Sequence, residues 1–379
     1  MSDVQLTERE RSVLDQVAEF CRVEVDPHCE EWEQAENFPR AIFTRAGQAG
    51  LLGLLAPQEL GGKGLRFTAY VLAIREMARH HGAFALDVSA HNSLCIGHLL
   101  AFGSEEQKRR CAPRLVRGEW LGAWALTEPN AGSDSAAIET TAMKNGDAWE
   151  LTGHKTFITQ GRNANILVVM AQSGRTDTGR KELSAFLVAG DQVRPVRKIP
   201  TYGMKPSETS EIRFERARAE LVGERGQGLK QGLAILDRGR IGVASLAVGI
   251  AQAAFDAACR YAMERQQFGK PIADLQAIQW MLADSATEIA AADLLIQRAA
   301  RMQDEGSITT KESAMAKLFA AEAATRICNR AMQIHGGRGY SRDFPIERYL
   351  RDVKLCEIGE GTSEIQRLVI ARQLMKERQ

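Results

Sequence analysis

The spacing of apolar residues changes twice along this chain of 379 residues, and that change constrains the fold more than any other feature. Up to about residue 122, and again from Gly228, apolar residues recur at helical steps of three and four, as in Leu275, Ile278 and Leu282. Between these parts, short apolar runs such as 166–170 are bounded by turn residues, which is typical of buried strands. We therefore predict an α+β protein with an N-terminal α-helical domain at 1–122, a middle β domain at 123–227 and a C-terminal helical bundle at 228–379.

Local signals agree with these elements. Thr7 and Glu10 have the spacing of a capping box at the start of a helix. Asn145-Gly146 is typical of a tight turn between two strands. The residues 56–64 are rich in Gly and Pro and predict a loop.

Composition and charge exclude several classes of protein. Lys plus Arg number 49 against 48 for Asp plus Glu, so the net charge of +1 gives no global attraction to nucleic acid or an anionic membrane. The hydrophobic share of 44% excludes disorder over most of the chain. The seven cysteines form no CxxC pair and the seven histidines no HExxH motif, which predicts a reduced compartment and no metal site. The N-terminus resembles no signal peptide and the apolar runs fall short of a membrane span, so we expect a soluble, cytoplasmic protein.

Two segments of the β part can carry chemistry. Residues 126–134 combine hydroxyls, a proline and a glycine in a turn, and they offer hydrogen-bond donors to an acceptor-rich cofactor. In 155–161, an aromatic side chain stands between two threonines and can pack against a flat ring system. From composition alone, a plain inter-domain turn and an ordinary β-strand explain the two segments better than a binding role does.

Two further segments lie in the helical part. Residues 265–271 place an arginine before a Gly-Lys-Pro helix break, which suits a pyrophosphate but also a helix C-terminus whose cations face the helix dipole. Residues 333–340 contain two adjacent glycines that let a backbone approach a ligand closely. The pattern is neither a Rossmann nor a P-loop fingerprint, and a lone His335 is more often structural than catalytic.

Glu360 stands between Gly359 and Gly361, just before the start of a predicted helix. Ser363 and Gln366 have capping-box spacing for that helix. A solvated loop carboxylate is the usual state of a glutamate, but a carboxylate on an uncrowded backbone is also accessible to a substrate as a general base.

Together these segments resemble the acyl-CoA dehydrogenase flavoprotein family over nearly the whole chain. The resemblance rests on the α–β–α order and on the strings TEPNAGSD, FIT, ERxxFGKP, QIHGGxGY and EGTSEIQR, in this order and spacing. The stretch 237–242 looks closest to the short-chain, butyryl-type branch. The resemblance implies bound FAD, a homotetramer, a place in fatty-acid β-oxidation and transfer of electrons to an electron-transferring flavoprotein, with no nucleic-acid or membrane partner.

The resemblance also implies roles for particular residues. Those matching contacts to the flavin ring and the rest of FAD are Leu126, Thr127, Ser133, Phe157, Ile158, Thr159, Arg265, Phe268, Gln276, Gln333, His335, Gly336, Gly337, Thr362, Ser363 and Glu364. Those matching contacts to the acyl-CoA are Ser133, Asp237, Arg240 and Gly361. Arg265, Phe268 and Gln276, together with the stretch 333–337, match positions that complete the FAD site across a subunit interface.

Glu360 matches the catalytic base of the family. In some branches, such as the isovaleryl type, the base lies instead where this chain has Gly239, which cannot abstract a proton. The resemblance therefore implies that Glu360 takes the α-proton of an acyl-CoA thioester while the β-hydrogen leaves as hydride to the flavin, giving a trans-2-enoyl-CoA. A nearby helix start favours its carboxylate by about 0.3–1 kcal/mol, whereas burial under an acyl chain raises a carboxyl pKa by more, so we expect burial to dominate.

Two departures from the family pattern bear on the substrate. The butyryl-type branch carries a tyrosine where this chain has Gly359, so we expect a wider pocket that accepts branched or cyclic acyl groups. Ala85 stands where the glutaryl-type branch has an arginine, which disfavours a dicarboxylate. The alternatives are an acyl-CoA oxidase that uses oxygen, and a non-catalytic flavoprotein of the same fold.

Overall fold

The computed structural model describes residues 5–378 and begins with a helical part. Its helices are α1 (Glu8–Phe20), α2 (Cys29–Ala35), α3 (Arg40–Gln48), α4 (Phe67–His80), α5 (Gly82–Ser89), α6 (Gly97–Phe102) and α7 (Glu105–Val116). The Thr7–Glu10 capping box is present at the start of α1, as predicted. Residues 56–64 form a loop with one short helical turn, also as predicted. The first four residues of the N-terminal stretch that was compared with signal peptides lie outside the described residues.

The middle part is a β-barrel. Its strands are β1 (Gly122–Ala125), β2 (Thr141–Asn145), β3 (Ala148–Thr159), β4 (Ile166–Arg175), β5 (Lys181–Ala189), β6 (Arg194–Lys198) and β7 (Thr209–Val222). Strands β2, β3, β7, β5 and β4 pair in that order, and β4 returns to β2, which closes the ring. β1 runs parallel to β4, and β6 pairs with β7 outside the ring. Closure leaves no free edge along the ring, and the inward side chains form a core of their own.

The turn at Asn145-Gly146 joins β2 and β3 as predicted. Asn145 pairs with Ala148 across the antiparallel hairpin. Gly146 has a φ of 59°, in the left-handed region that this kind of turn requires and that glycine adopts without steric cost. The apolar run 166–170 lies in β4 and is buried, which confirms its prediction as a buried strand.

The C-terminal part is a bundle of long helices. It contains α8 (Gly228–Glu264), a short hairpin of β8 (Gln266–Gln267) and β9 (Lys270–Pro271), α9 (Gln276–Asp304), α10 (Thr310–His335), α11 (Ile346–Val353), α12 (Leu355–Ile358) and α13 (Ser363–Lys376). Small residues bring these helices close: a Cβ at Gly249 of α8 would lie 2.4 Å from the carbonyl oxygen of Arg75 in α4. One continuous apolar core therefore joins the N-terminal and C-terminal helices.

The sequence predicted no segment long and apolar enough to span a membrane, but one helix meets both criteria. Helix α8 passes that test, but 78% of its most apolar window is buried inside the protein. Alanine, glycine and valine make the helix apolar on most of its faces because α4 and α10 pack against it on different sides. A helix that is apolar all round is expected where the helix lies in the centre of a large core.

Candidate functional site

A buried ion pair between Lys155 and Glu128 holds the loop that carries Leu126 and Thr127. Lys155 of β3 donates from Nζ to the carbonyl oxygen of Leu126 at 2.8 Å and to Oε1 of Glu128 at 2.7 Å. The Lys155 side chain is fully buried and that of Glu128 is 4% exposed. Glu128 also accepts the backbone N–H of Thr140 at 3.0 Å. Because every bond joins the loop to the barrel wall, the pair holds the loop in one position.

The structure brings this loop next to the predicted flavin-binding segment of β3. The backbone N–H of Thr156 donates to the carbonyl oxygen of Thr127 at 2.9 Å. The pairing of β3 with β7 shifts register between Lys155 and Ile158, as at a β-bulge. Phe157 lies in this bulge with a φ of 56° and is 62% exposed, whereas Ile158 is buried. The bulge therefore turns an aromatic ring out of the barrel beside the loop, while Thr159 is half-buried and Ser133 is exposed.

A second group of predicted residues lies at the ends of the long C-terminal helices. Arg265 ends α8, and Phe268 lies in the β8–β9 turn with 90% of its surface exposed. Gln276, at the first position of α9, and Gln333, in the last turn of α10, are also exposed.

The glycines after α10 leave open space. A Cβ at Gly336 or Gly337 would meet no atom within 4 Å. His335 differs from its neighbours because it is buried, stacks on Tyr261 at 4.3 Å between ring centroids and contacts the carbonyl oxygen of Ala331 through Nδ1 at 2.8 Å. Within this chain the His335 ring thus supports the Gly-Gly turn, and the turn itself is the accessible part.

An apolar crevice separates the barrel from α8. It is lined by Leu126, Ser135, Met170, Leu183, Leu229, Gly232 and Leu236. One helical turn further along α8, Arg240 donates from Nη1 to Oδ1 of Asp237 at 2.6 Å. Thr310 of α10 donates to the other oxygen of Asp237 at 2.5 Å. Two hydrogen bonds therefore hold Asp237, one of the predicted acyl-CoA contacts, to Arg240 and to α10.

Glu360 and Gly361 form a turn in the left-handed region between α12 and α13. Their φ angles are 53° and 94°. Two side chains converge on the carbonyl oxygen of Gly361: Lys317 Nζ of α10 at 2.6 Å and Gln366 Nε2 of α13 at 2.8 Å. Gln366 also donates to the carbonyl oxygen of Glu360 at 3.3 Å. A glutamate in this conformation is strained, and these hydrogen bonds hold it there.

The carboxylate of Glu360 lies against the missing side chain of Gly239. A Cβ at Gly239 would lie 2.0 Å from Oε2 of Glu360 and 3.1 Å from Cδ2 of Leu94. Residues 239 and 360, the two positions that the family resemblance offered for a base, are therefore adjacent in space, and a side-chain oxygen of Glu360 lies where a side chain of residue 239 would begin. Glycine at 239 is what allows it to do so.

Burial of the Glu360 carboxyl raises its pKa from 4.5 to about 7, opposed by the positive charges of Lys317 and Arg240. Oε2 is inaccessible to solvent and has no hydrogen-bond partner among the described residues. Desolvation penalises the charged form, and the absence of a donor means that no hydrogen bond offsets this penalty. A carboxyl poised near neutral pH is suited to accept a proton from carbon.

The predicted capping box at Ser363 and Gln366 is wrong. The N-cap of α13 is Thr362, whose Oγ1 accepts the backbone N–H of Ile365 at 3.3 Å. Ser363 is the first helical residue and is buried, and Glu364 is exposed in the first turn. Gln366 is free of a capping role because its amide donates to the turn that carries Glu360 instead.

Sequence analysis did not predict the observed roles of four residues important to this arrangement: Glu128, Lys155, Lys317 and Gln366, the last of which was assigned to a helix cap. Glu128 lies within the 126–134 segment and Lys155 begins the 155–161 segment, but neither side chain was given a role. Lys317 lies in an alanine-rich helix at a fully buried position, where a lysine is rare without a partner. The sequence signal for Lys317 is its position in the apolar repeat of α10, where the neighbouring positions on the same face are alanines.

The exposed features fit a flavin dinucleotide. Phe157 offers an exposed aromatic face to a flat ring system, on the strand segment that is hydrogen-bonded to the loop at Thr127. The open Gly336-Gly337 backbone, without a Cβ, lets a pyrophosphate approach closely. Within residues 5–378, no group of three or more His, Cys, Asp or Glu side chains is arranged to hold a metal ion.

Known proteins match this chain over almost its whole length. Residues 7–119, 123–217 and 226–375 match, in order, the N-terminal, middle and C-terminal domains of acyl-CoA dehydrogenases. A probable acyl-CoA dehydrogenase of Bacillus subtilis is 46% identical, with 98% of this chain and 99% of that protein aligned. The mitochondrial short-chain specific acyl-CoA dehydrogenase of Bos taurus is 42% identical, over 98% of this chain and 92% of that protein.

The same likeness holds in three dimensions. The butyryl-CoA dehydrogenase of Megasphaera elsdenii superposes with a TM-score of 0.95 at 35% identity, covering 99% of this chain and 100% of that one. The helical, barrel and bundle parts are therefore shared as a whole rather than piece by piece. With matched domains from residue 7 to residue 375, the chain belongs to the acyl-CoA dehydrogenase family of FAD-dependent oxidoreductases that act on acyl-CoA thioesters.

Proposed function

We propose that this enzyme oxidises the α,β-bond of a short-chain acyl-CoA thioester to a trans-2-enoyl-CoA, with Glu360 as the base that removes the α-proton. The observation that carries this proposal is the Glu360 carboxylate, which is buried, has an unbonded oxygen and lies against Gly239. No solvent or donor competes for that oxygen, so it is available to a C–H bond. The raised pKa means that protonation by carbon is less costly than for an exposed carboxylate.

The protein contributes orientation and a dry environment. The backbone N–H of Glu360 has no acceptor among the described residues, and it is positioned in the same turn as the base to donate to the thioester carbonyl. Donation to that oxygen stabilises the negative charge that develops as the α-proton leaves. Asp237 and Arg240 would contact the acyl-CoA, and the hydrogen bond between them fixes their relative position on α8.

The cofactor site combines two groups of residues. Leu126, Thr127, Ser133 and 157–159 would hold the flavin ring, and Thr362, Ser363 and Glu364 lie beside the base. FAD, when bound, accepts the β-hydrogen as hydride. Residues 265, 268, 276 and 333–337 would complete the site across a subunit interface. The exposure of Phe268, Gln276, Gln333, Gly336 and Gly337 in one chain supports this, whereas Ile334 and His335 are buried.

The test is Glu360→Gln in the FAD-loaded enzyme, titrated anaerobically with butyryl-CoA. The variant should retain stoichiometric FAD because its side chain has the same shape, yet the flavin should not bleach. Glu357→Gln, three residues earlier on α12 and ion-paired to Lys354 at 2.6 Å, is the matched control and should bleach normally. Bleaching of the Glu360→Gln flavin at the wild-type rate would refute the assignment.

We further propose that the acyl group is short and that branched or cyclic chains are accepted. The three atoms nearest to a Cβ built at Gly359 all belong to Leu355, at 3.5–3.7 Å, so a side chain at this position would make ordinary contacts rather than clash. Absence of a side chain there leaves room next to the α-carbon. The value of kcat/KM for isobutyryl-CoA and cyclohexanecarboxyl-CoA relative to butyryl-CoA should fall when Gly359→Tyr refills that space. An unchanged ratio would remove the support for this substrate class.

The remaining expectations are proposals of the same kind. We propose domain boundaries at 122/123 and 227/228, a cytoplasmic homotetramer, and an electron-transferring flavoprotein as acceptor. Exposed aromatic side chains such as Phe268, Trp280 and Tyr340 support burial between subunits. Stoichiometric peroxide from butyryl-CoA in air would favour an oxidase, and failure of any acyl-CoA to bleach the flavin would favour a non-catalytic flavoprotein.

A further inference from the structure

Lys317 is a charged residue in an otherwise apolar part of the bundle. It lies in the middle of α10 on the face that packs against α8, among Ala316, Ala320 and Ala321, and its side chain is fully buried. A lysine in such a position is costly unless its charge is used, because several kcal/mol of hydration are lost on burial. Its only hydrogen bond among the described residues is to the carbonyl oxygen of Gly361, at 2.6 Å.

The charges around Lys317 come from each neighbouring element. Arg240 of α8 repels it, while Glu360, Glu357 of α12 and Glu364 of α13 attract it. Burial raises the pKa of the Cys356 thiol to about 12, so that group is uncharged at neutral pH. Glu357 is already engaged by Lys354 at 2.6 Å and by Thr325 at 2.5 Å. Within the part of the chain that the structure describes, Glu360 forms no ion pair, so the charges of Lys317 and Arg240 act on it without a closer cation.

The contact with Gly361 fixes the backbone of the turn. Gly361 follows the base directly and has a φ of 94°, and its carbonyl oxygen accepts from both Lys317 and Gln366. Moving this carbonyl would rotate the peptide between Gly361 and Thr362, directly after the base, and we expect the turn to shift the Glu360 carboxylate away from Gly239. The Lys317 ammonium thus bonds the backbone of the turn, and its positive charge lowers the pKa of Glu360.

We propose that Lys317 is a positioning residue for catalysis, whose ammonium anchors the Glu360–Gly361 turn and keeps the base ionised in its buried site. This rests on the proposed role of Glu360. Lys317 is first among the charges that lower the pKa of Glu360 against the effect of burial, and Arg240 is second. Burial lowers the pKa of Lys317 itself to about 8, so its charge is present at neutral pH and is lost as the pH rises above that value.

The test is the pH profile of kcat in the FAD-loaded enzyme, for Lys317→Met and for Lys311→Met as control. Lys311 lies on the same helix, but it is partly exposed and pairs with Glu377 at 2.6 Å. Removal of a cation near a carboxyl raises the carboxyl pKa by about 1–3 units. The kcat midpoint of Lys317→Met should therefore move up by at least about one pH unit, with about tenfold lower kcat at pH 7 and partial recovery at pH 9.

Lys311→Met should keep the wild-type midpoint. If Lys317→Met does not fold, Lys317→Gln keeps a donor for Gly361 without the charge, and it should show the same upward shift. A wild-type midpoint and kcat in either folded Lys317 variant would overturn the proposal. Failure of the underlying base assignment is distinguishable, because then Glu360→Gln itself would still bleach its flavin.

Discussion

The buried carboxylate of Glu360 should make the enzyme less stable than it would be without that charge, and Glu360→Gln tests this. Burial raises the pKa of this carboxyl from 4.5 to about 7. Between these pH values the folded protein binds more protons than the unfolded chain, so the stability contributed by Glu360 falls as the pH rises through this window. At about 1.36 kcal/mol per pKa unit, the loss is roughly 3 kcal/mol once the group is ionised.

Glutamine at 360 resembles the protonated carboxyl and does not titrate. The substrate-free holoenzyme carrying Glu360→Gln should therefore gain stability over wild type on going from pH 5 to pH 8. The gain is most of the roughly 3 kcal/mol per chain, which corresponds to a rise of a few degrees in Tm. Thermal unfolding followed by flavin release and circular dichroism, at both pH values, measures it.

A variant three residues earlier should behave in the opposite way. Burial alone would raise the pKa of Glu357, but hydrogen bonds from Lys354 and Thr325 lower it overall. Glu357→Gln should therefore lose stability at pH 8 rather than gain it, because its native ion pair is removed. If the Tm difference between Glu360→Gln and wild type is the same at pH 5 and pH 8, the carboxylate is not destabilised by burial and our account of its basicity is wrong.

Three other predictions follow from the same geometry. In wild-type enzyme, kcat/KM should rise with pH to a plateau above about pH 7, measured with butyryl-CoA from pH 5.5 to 9; a profile that is flat above pH 6 would contradict a raised pKa of Glu360. Gly239→Ala should displace the Glu360 carboxylate and lower kcat by about 100-fold with FAD content unchanged, and an unaltered kcat would contradict the contact. Lys155→Met should leave Glu128 buried without its partner and cost about 3–5 kcal/mol with loss of FAD, measured by Tm and flavin content; Lys155→Met combined with Glu128→Gln should recover part of the stability.

The architecture could be predicted from the sequence because each element is encoded locally. The Thr7–Glu10 cap and the Asn145-Gly146 turn depend only on neighbours within a few residues, and the structure confirms both. Closure of the barrel between β4 and β2 could not be derived from the residues, because it joins strands through a single pair, Thr141 and Gln172. It depends on the summed twist of the strands rather than on any motif.

The site was predicted in part. Glu360 and Gly239 could be identified by their positions in family motifs, but their contact joins α8 to the turn before α13. Lys317 and Gln366 were missed because their roles depend on tertiary hydrogen bonds to a carbonyl oxygen that any residue could supply. The wrong prediction of a cap at Ser363 has the same cause. The S-x-x-Q spacing predicts a capping box, but the Gln366 amide bonds the turn that carries Glu360 instead, and Thr362 caps the helix.

The contact between Gly239 and Glu360 explains why a single chain needs only one of two possible bases. The Oε2 atom of Glu360 lies where the first side-chain atom of residue 239 would be, so the two side chains compete for one volume beside the α-carbon of the substrate. A carboxylate from either backbone could fill that volume, but both together would clash and would place two negative charges in a buried site. If Glu360 is the base, as proposed, glycine at 239 belongs to the same arrangement, because its missing Cβ leaves room for the Glu360 carboxylate that comes from the turn between α12 and α13.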